Sequence, residues 1–177
     1  MNSMKIRRTT YAALYLALAM VLPFVTGQIP EIGSMLCPMH IPALLCGFMC
    51  GWLWGFAIGC IAPLLRAVTF GMPALFPTAV AMAFELAIYG GMAGFLYQVL
   101  PEKKWRIYVA LVISMISGRI VWGIVNLFLA GITGSSFTWS IFIAGAVVNA
   151  IPGIIMQLIL IPIIVIAMEK VGLSIKN

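Results

Sequence analysis

The sequence predicts an all-α integral membrane protein: a bundle of six transmembrane helices that forms a single domain over residues 1–177. Apolar residue types make up 64% of the chain and charged types only 8%, whereas a soluble domain carries about 25% charged residues. The apolar residues occur in stretches close to the ~20 residues that a helix needs to cross a bilayer. Length and composition therefore allow about five to seven spans and no soluble domain.

Six apolar stretches follow one another along the chain, separated by loops rich in glycine, proline or basic residues. The second and third are short, and only the turn at residues 51–55 lies between them. We expect a tight hairpin here, and one long helix over residues 39–70 is the alternative. The sixth is long enough to tilt, with bends expected at Pro152 and Pro162. The predicted spans are residues 9–26, 39–52, 53–70, 75–97, 107–129 and 141–168.

Basic residues lie beside the predicted spans, and this placement predicts the topology. Loops rich in lysine and arginine lie in the cytoplasm according to the positive-inside rule. We therefore expect both termini in the cytoplasm, with an even number of spans between them. Topology also explains the net charge of +6, so no nucleic-acid partner is predicted. The flanking residues are Lys5, Arg7, Arg8, Lys103, Lys104, Arg106, Lys170 and Lys176.

One acidic and one basic residue lie within otherwise apolar spans. Glu85 belongs to the fourth span and Arg119 to the fifth. An ionised side chain at the centre of an isolated membrane helix costs roughly 2.5–3.5 kcal/mol on insertion scales, so such residues normally face a partner or a water-filled cavity. We therefore predict a polar pocket inside the bundle that opens to the outside. The alternative is that the two charges simply neutralise each other between helices.

Further polar side chains share faces with these two charges or lie near the outer ends of spans. Tyr89 follows Glu85 by four residues, which places both on one helix face. A mostly apolar pocket with a few polar groups suits a small organic ligand, and an arginine there could bind a carboxylate or phosphate. The candidate ligand-binding residues are Glu85, Tyr89, Arg119, Trp122, Asn126, Asn149, His40 and Arg66.

Several of these residues also have a purely structural interpretation. Asn149 could hydrogen-bond between helices, together with Gln157 two turns later. Arg66 could extend its guanidinium to the outer surface of the membrane. His40 could form a hydrogen bond where a loop enters a helix. The sequence leaves these alternatives open.

Catalytic and metal-binding motifs are missing from the sequence. It contains no GxxxxGK[ST] phosphate-binding loop, no HExxH and no GxSxG. One histidine and four acidic residues offer little material for acid–base chemistry, so we expect no enzyme. Cys46 and Cys50 share a helix face, but buried free cysteines behave as small apolar residues. We predict no disulfide and no metal site.

The first span contains two alanines four residues apart, Ala13 and Ala17. Small residues at this spacing let another helix approach closely. With six spans and this pattern, the chain resembles the substrate-binding S components of energy-coupling factor (ECF) vitamin transporters over residues 9–168. Four segments are similar to the branch that contains pantothenate, pyridoxine-related and folate S components: PMHIPALLCGF at 38–48, PLL at 63–65, GMP at 71–73 and FELAIYG at 84–90.

The resemblance implies a mechanism. An S component binds a vitamin or related metabolite from outside and delivers it through a transmembrane coupling subunit with two cytoplasmic ATPases. It carries no cofactor, because the partner subunits use the ATP, and it docks through the alanine pattern that Ala13 and Ala17 match. The resemblance also implies the plasma membrane of a prokaryote. The alternative is a stand-alone proton- or ion-coupled secondary transporter in which Glu85 is the coupling group, although the chain lacks the matching halves that many such transporters show.

Overall fold

A computed structural model describes residues 3–25, 36–103, 105–134, 138–145 and 150–171. These residues are almost entirely helical and include no β-strand, so the all-helical class is confirmed. A π-helical turn, Leu75–Ala79, with non-helical backbone at Phe76, leads into the fourth helix. The helices are α1 (Ser3–Val25), α2 (His40–Cys50), α3 (Trp52–Phe70), α4 (Val80–Val99), α5 (Arg106–Thr133), α6 (Trp139–Ile143) and α7 (Ile151–Lys170).

Within the described residues, four helical segments are long and apolar enough to cross a membrane. They are Trp52–Phe70, Leu75–Val99, Arg106–Thr133 and Ile151–Lys170. Helix α2 is apolar but shorter, with 11 residues. A multi-pass membrane protein is therefore supported, while the count of six spans and the cytoplasmic termini stay predictions.

The predicted hairpin in the second and third spans is confirmed. Helix α2 ends at Cys50 and α3 begins at Trp52, so Gly51 alone separates them. Its φ of 97° lies in a region that residues other than glycine rarely adopt. This conformation breaks the helix and excludes the single long helix over residues 39–70.

The helices differ most from the predicted spans at the two ends of the chain. Helix α1 begins at Ser3, six residues before the predicted start of the first span, so Arg7 and Arg8 are helical. The predicted sixth span corresponds to the short helix α6 followed by α7. Pro152 lies in the first turn of α7, where its missing N–H would have no intrahelical partner in any case. Pro152 therefore lies at the start of a helix, whereas the sequence predicted a bend within a longer helix at this residue.

Helix α4 lies at the centre of the bundle and packs against α2, α3 and α5. Glycines bring it into backbone contact with the α2–α3 hairpin. A Cβ added at Gly94 would lie 2.6 Å from the carbonyl oxygen of Gly47 and 2.6 Å from the nitrogen of Trp52. A Cβ added at Gly90 would overlap the backbone of Gly55. This close approach fixes the position of the α4 face that carries Glu85 and Tyr89.

Gly90→Ala is expected to lower the melting temperature of the protein in detergent. The added methyl group would press on backbone atoms that cannot rotate away, and overpacking of this kind costs about 1–3 kcal/mol. The matched control is Gly91→Ala on the same helix, where the new Cβ would lie 3.4 Å from the Phe56 side chain, an ordinary contact. Equal melting temperatures for the two variants would show that the backbone contact does not limit stability.

Candidate functional site

Four of the predicted residues meet between α2, α4 and α5. Glu85 on α4 forms an ion pair with Arg119 on α5, with 2.9 Å between Oε1 and Nη1. His40, the first residue of α2, places Nε2 3.4 Å from the same carboxylate oxygen. The ring of Tyr89 contacts the His40 ring edge to face, with the centroids 5.0 Å apart. We call these four residues the polar cluster.

The polar cluster is almost completely removed from solvent. Glu85 is 1% exposed, Tyr89 1% and His40 3%, and the Arg119 side chain is 15% exposed. The two charges thus neutralise each other between α4 and α5, as one of the sequence alternatives expected. Pairing does not by itself explain why the charges are present, because a buried ion pair is often no more stabilising than apolar residues of similar volume.

Several buried polar atoms of the cluster lack a hydrogen-bond partner among the described residues. They are both ring nitrogens of His40, Oε1 of Glu85 and Nε of Arg119, although this carboxylate oxygen forms the ion pair with Arg119. Arg119 Nη2 donates to the thiol of Cys37 at 3.5 Å, although sulfur is a weak acceptor, and the guanidinium also hydrogen-bonds with the side chain of Tyr89. Leaving such a group unsatisfied costs about 1–3 kcal/mol. The arrangement is therefore suited to polar groups supplied from outside the chain.

Local packing explains how the ring of Tyr89 reaches this position. Gly118 on α5 lies directly against the ring, and a Cβ there would overlap it and would lie 3.2 Å from the carbonyl oxygen of Glu85. Because Gly118 has no side chain, α5 approaches α4 closely and brings Arg119 to Glu85. Sequence reasoning missed Gly118, although its position next to Arg119 was a usable signal.

Sequence reasoning also missed Cys37, which lies just before α2. Its backbone φ of 49° is uncommon for a residue other than glycine, and such residues concentrate at functional sites. No sequence motif marks it, since its role depends on the approach of Arg119 from a helix 82 positions later.

Trp122 and Asn126 lie further along α5 and contact other groups. Trp122 stacks on Phe142 of α6, with ring centroids 6.2 Å apart. The Asn126 amide donates a 2.8 Å hydrogen bond to the carbonyl of Trp122, within its own helix. These contacts lie outside the polar cluster, and a role of the two residues in ligand binding stays a prediction.

Arg66 is also buried, at 2% exposure, but it is held by α1. Its guanidinium donates to the carbonyl oxygen of Met20 and lies 4.9 Å from the ring centroid of Phe24 and 5.2 Å from that of Phe70. These contacts join α1 to α3 and give Arg66 a structural role, while ligand binding by Arg66 stays a prediction. Asn149 lies outside the described residues.

A second polar network joins the opposite ends of three helices. Arg106 at the start of α5 pairs with Glu169 near the end of α7, with 2.9 Å between Nη2 and Oε1. Tyr97 of α4 accepts a 2.9 Å hydrogen bond from Arg106 and donates to Glu169. The sequence placed these residues beside the ends of spans but could not show that they meet.

A cavity of about 360 Å³ lies along α3 and α4. Its walls are apolar, formed by residues such as Trp52, Phe56 and Phe95, and none of the candidate ligand-binding residues lines it. The outward-opening pocket predicted beside Glu85 and Arg119 stays a prediction.

The two alanines proposed for docking lie on the outer face of α1. Ala13 and Ala17 are both exposed, as are Leu14 and Leu18 beside them. The opposite face of the helix is buried in the bundle through Ala12, Tyr15 and Ala19. The small-residue stripe is therefore available for contact with another helix.

The chain matches a model of a known protein family. The family model of the substrate-specific component of ECF transporters matches residues 7–165. No curated protein and no solved structure matches the chain. The family consists of transport subunits and not of enzymes. Because the match spans most of the sequence, the chain belongs to the family of substrate-specific components of ECF transporters.

Proposed function

We propose that this chain is the binding subunit of an ECF-type importer in the plasma membrane of a prokaryote. It captures a vitamin or related small metabolite from outside and delivers it through a separate transmembrane coupling subunit driven by two ATPases. Six spans, with both termini in the cytoplasm, complete the proposal. The partner subunits hydrolyse the ATP, and this chain itself needs no cofactor.

The polar cluster is the observation that carries the proposal. A buried glutamate and arginine between two membrane helices are expensive, and such residues normally mark a substrate pathway. Here they lie beside a buried histidine whose ring nitrogens have no hydrogen-bond partner among the described residues. In a chain of this family, the ligand is the natural source of those partners.

The exposed stripe at Ala13 and Ala17 supports the second half of the proposal. A binding subunit without an ATPase of its own has to dock on a subunit that supplies the movement. Between two membrane helices, small residues allow close backbone approach, and van der Waals packing then stabilises the contact. The stripe offers such a surface on the outside of the bundle.

Transport by reconstituted protein tests the proposal. The small molecule that copurifies with the chain is identified by mass spectrometry, and its uptake into proteoliposomes is measured. We expect uptake only when the coupling subunit, both ATPases and ATP are present. Uptake by the chain alone, driven by a pH gradient, would instead establish the stand-alone secondary transporter.

A further inference from the structure

Gln157 on α7 is a buried polar residue that does not belong to the polar cluster. Its side chain is almost completely removed from solvent, with 2% exposure. Its carbonyl oxygen Oε1 has no hydrogen-bond partner among the described residues. A buried acceptor without a donor destabilises a folded protein, and an apolar side chain of similar volume avoids that cost. Packing alone therefore does not explain an amide at this position.

The amide lies on the face of α7 that is turned into the bundle. Gly153, Gln157, Ile161 and Val165 are buried and follow one another at intervals of four residues, which places them on one side of the helix. Helix α7 packs against α2 and α5. The buried side of α7 therefore faces two of the three helices that form the polar cluster.

The polar network at the opposite helix ends fixes the depth of Gln157 in the bundle. Glu169 of α7 pairs with Arg106 of α5 at 2.9 Å, and Gln157 precedes Glu169 by 12 residues. At 1.5 Å per residue, Gln157 lies about 18 Å from this network along α7. Arg119 follows Arg106 by 13 residues in the antiparallel helix α5, so it lies about 20 Å from the same network. Gln157 and Arg119 are therefore at nearly the same depth.

Helix α4 shows that counting residues from this network gives the correct depth. Tyr97 of α4 hydrogen-bonds with Arg106 in the network, and Glu85 precedes Tyr97 by 12 residues. The count places Glu85 at the depth of Arg119, and these two side chains are in contact, with 2.9 Å between Oε1 and Nη1. The same count for α7 places Gln157 at the depth of the polar cluster.

We propose that Gln157 is a further ligand-binding residue, whose carbonyl oxygen accepts a hydrogen bond from a hydroxyl or N–H group of the substrate. This inference rests on the proposed function and adds a contact from α7, a helix that the polar cluster does not use. It also makes Gln157 a determinant of specificity. An analogue that lacks the donor group would leave Oε1 buried and unpaired, and sites of this kind discriminate strongly against such analogues.

The variant Gln157→Met tests this inference, because methionine has a similar length but no acceptor oxygen. The probe is the small-molecule fraction that heat releases from the purified wild-type chain. Wild type and variants are washed in detergent until mass spectrometry detects no bound compound, and serial dilutions of the fraction are then added. The shift in melting temperature is measured at each dilution. The matched control is Leu158→Met, which introduces the same side chain at the next, half-buried position of α7.

We expect Gln157→Met to need at least ~tenfold more of the released fraction for half the shift, whereas Leu158→Met should behave as the wild type. Without the fraction, Gln157→Met should melt at the wild-type temperature or above it, because the variant no longer buries an unpaired acceptor. A residue that only joins helices would give the opposite pattern. A lower melting temperature with unchanged binding would therefore overturn the inference.

Two further results would also overturn the assignment of Gln157 and leave the binding subunit intact. One is wild-type binding by Gln157→Met, and the other is an equal loss of binding in Leu158→Met, which would show that packing of α7 controls affinity. If Gln157→Met does not fold, Gln157→Leu takes its place with the same expectations. A wild-type chain that its own released fraction does not stabilise would contradict the proposed function itself.

Discussion

Replacing Ala17 with tryptophan is expected to abolish ATP-driven uptake and to leave ligand binding unchanged. Ala17 is exposed on the outer face of α1, one turn after Ala13, and the polar cluster lies between α2, α4 and α5. A tryptophan would fill the shallow stripe and hold a partner helix away from the backbone, where close packing is the main source of affinity between membrane helices. Ala13→Trp should behave in the same way. Uptake is measured in proteoliposomes with the coupling subunit and ATPases, and binding by thermal shift.

The matched control is Ile124→Trp on α5, at a position that is 61% exposed. It introduces the same side chain on another apolar surface and should support uptake at the wild-type rate. Normal uptake by both alanine variants would place the docking surface elsewhere on the molecule. Loss of binding together with uptake would show that α1 shapes the ligand site, contrary to our interpretation.

Removing one charge of the polar cluster is expected to destabilise the protein strongly. Either Glu85→Gln or Arg119→Gln leaves its partner buried with reduced compensation, and breaking a buried ion pair costs about 3–5 kcal/mol. The melting temperature of each single variant in detergent should fall well below that of the wild type. Arg119→Gln should also weaken ligand binding at least tenfold, which corresponds to about 1.4 kcal/mol.

The double variant Glu85→Gln with Arg119→Gln separates the structural role from the binding role. Two amides of similar volume leave no unpaired charge, so much of the lost stability should return, whereas ligand binding should stay weak. If both stability and ligand binding recover, the ion pair has a structural role only and does not contribute to binding. A single variant as stable as the wild type would show that the pair contributes little to folding.

Part of the polar cluster could be read from the sequence because a charge within an apolar span is conspicuous. Glu85 and Arg119 stand out for that reason, and Tyr89 follows from helix periodicity. The cost of a charge at the centre of an isolated membrane helix is known before the fold is, so the sequence alone shows that such a residue needs a partner or a cavity. The same reasoning does not extend to Arg66, which is equally buried but satisfied by Met20 and two aromatic rings.

By itself, the sequence determined the helical membrane class and the small-residue pair at Ala13 and Ala17, and it offered a turn at residues 51–55 as one of two alternatives, because each follows from local composition or backbone preference. Only the tertiary structure decided that His40 and Cys37 lie beside Arg119 and that Arg106 meets Glu169, 63 positions later. It also decided which glycines of α2, α3 and α4 touch. Such contacts depend on how the helices are rotated and how closely they approach. Helix rotation and interhelical distance are set by side-chain packing across the whole bundle, so they cannot be predicted from any single segment of the chain.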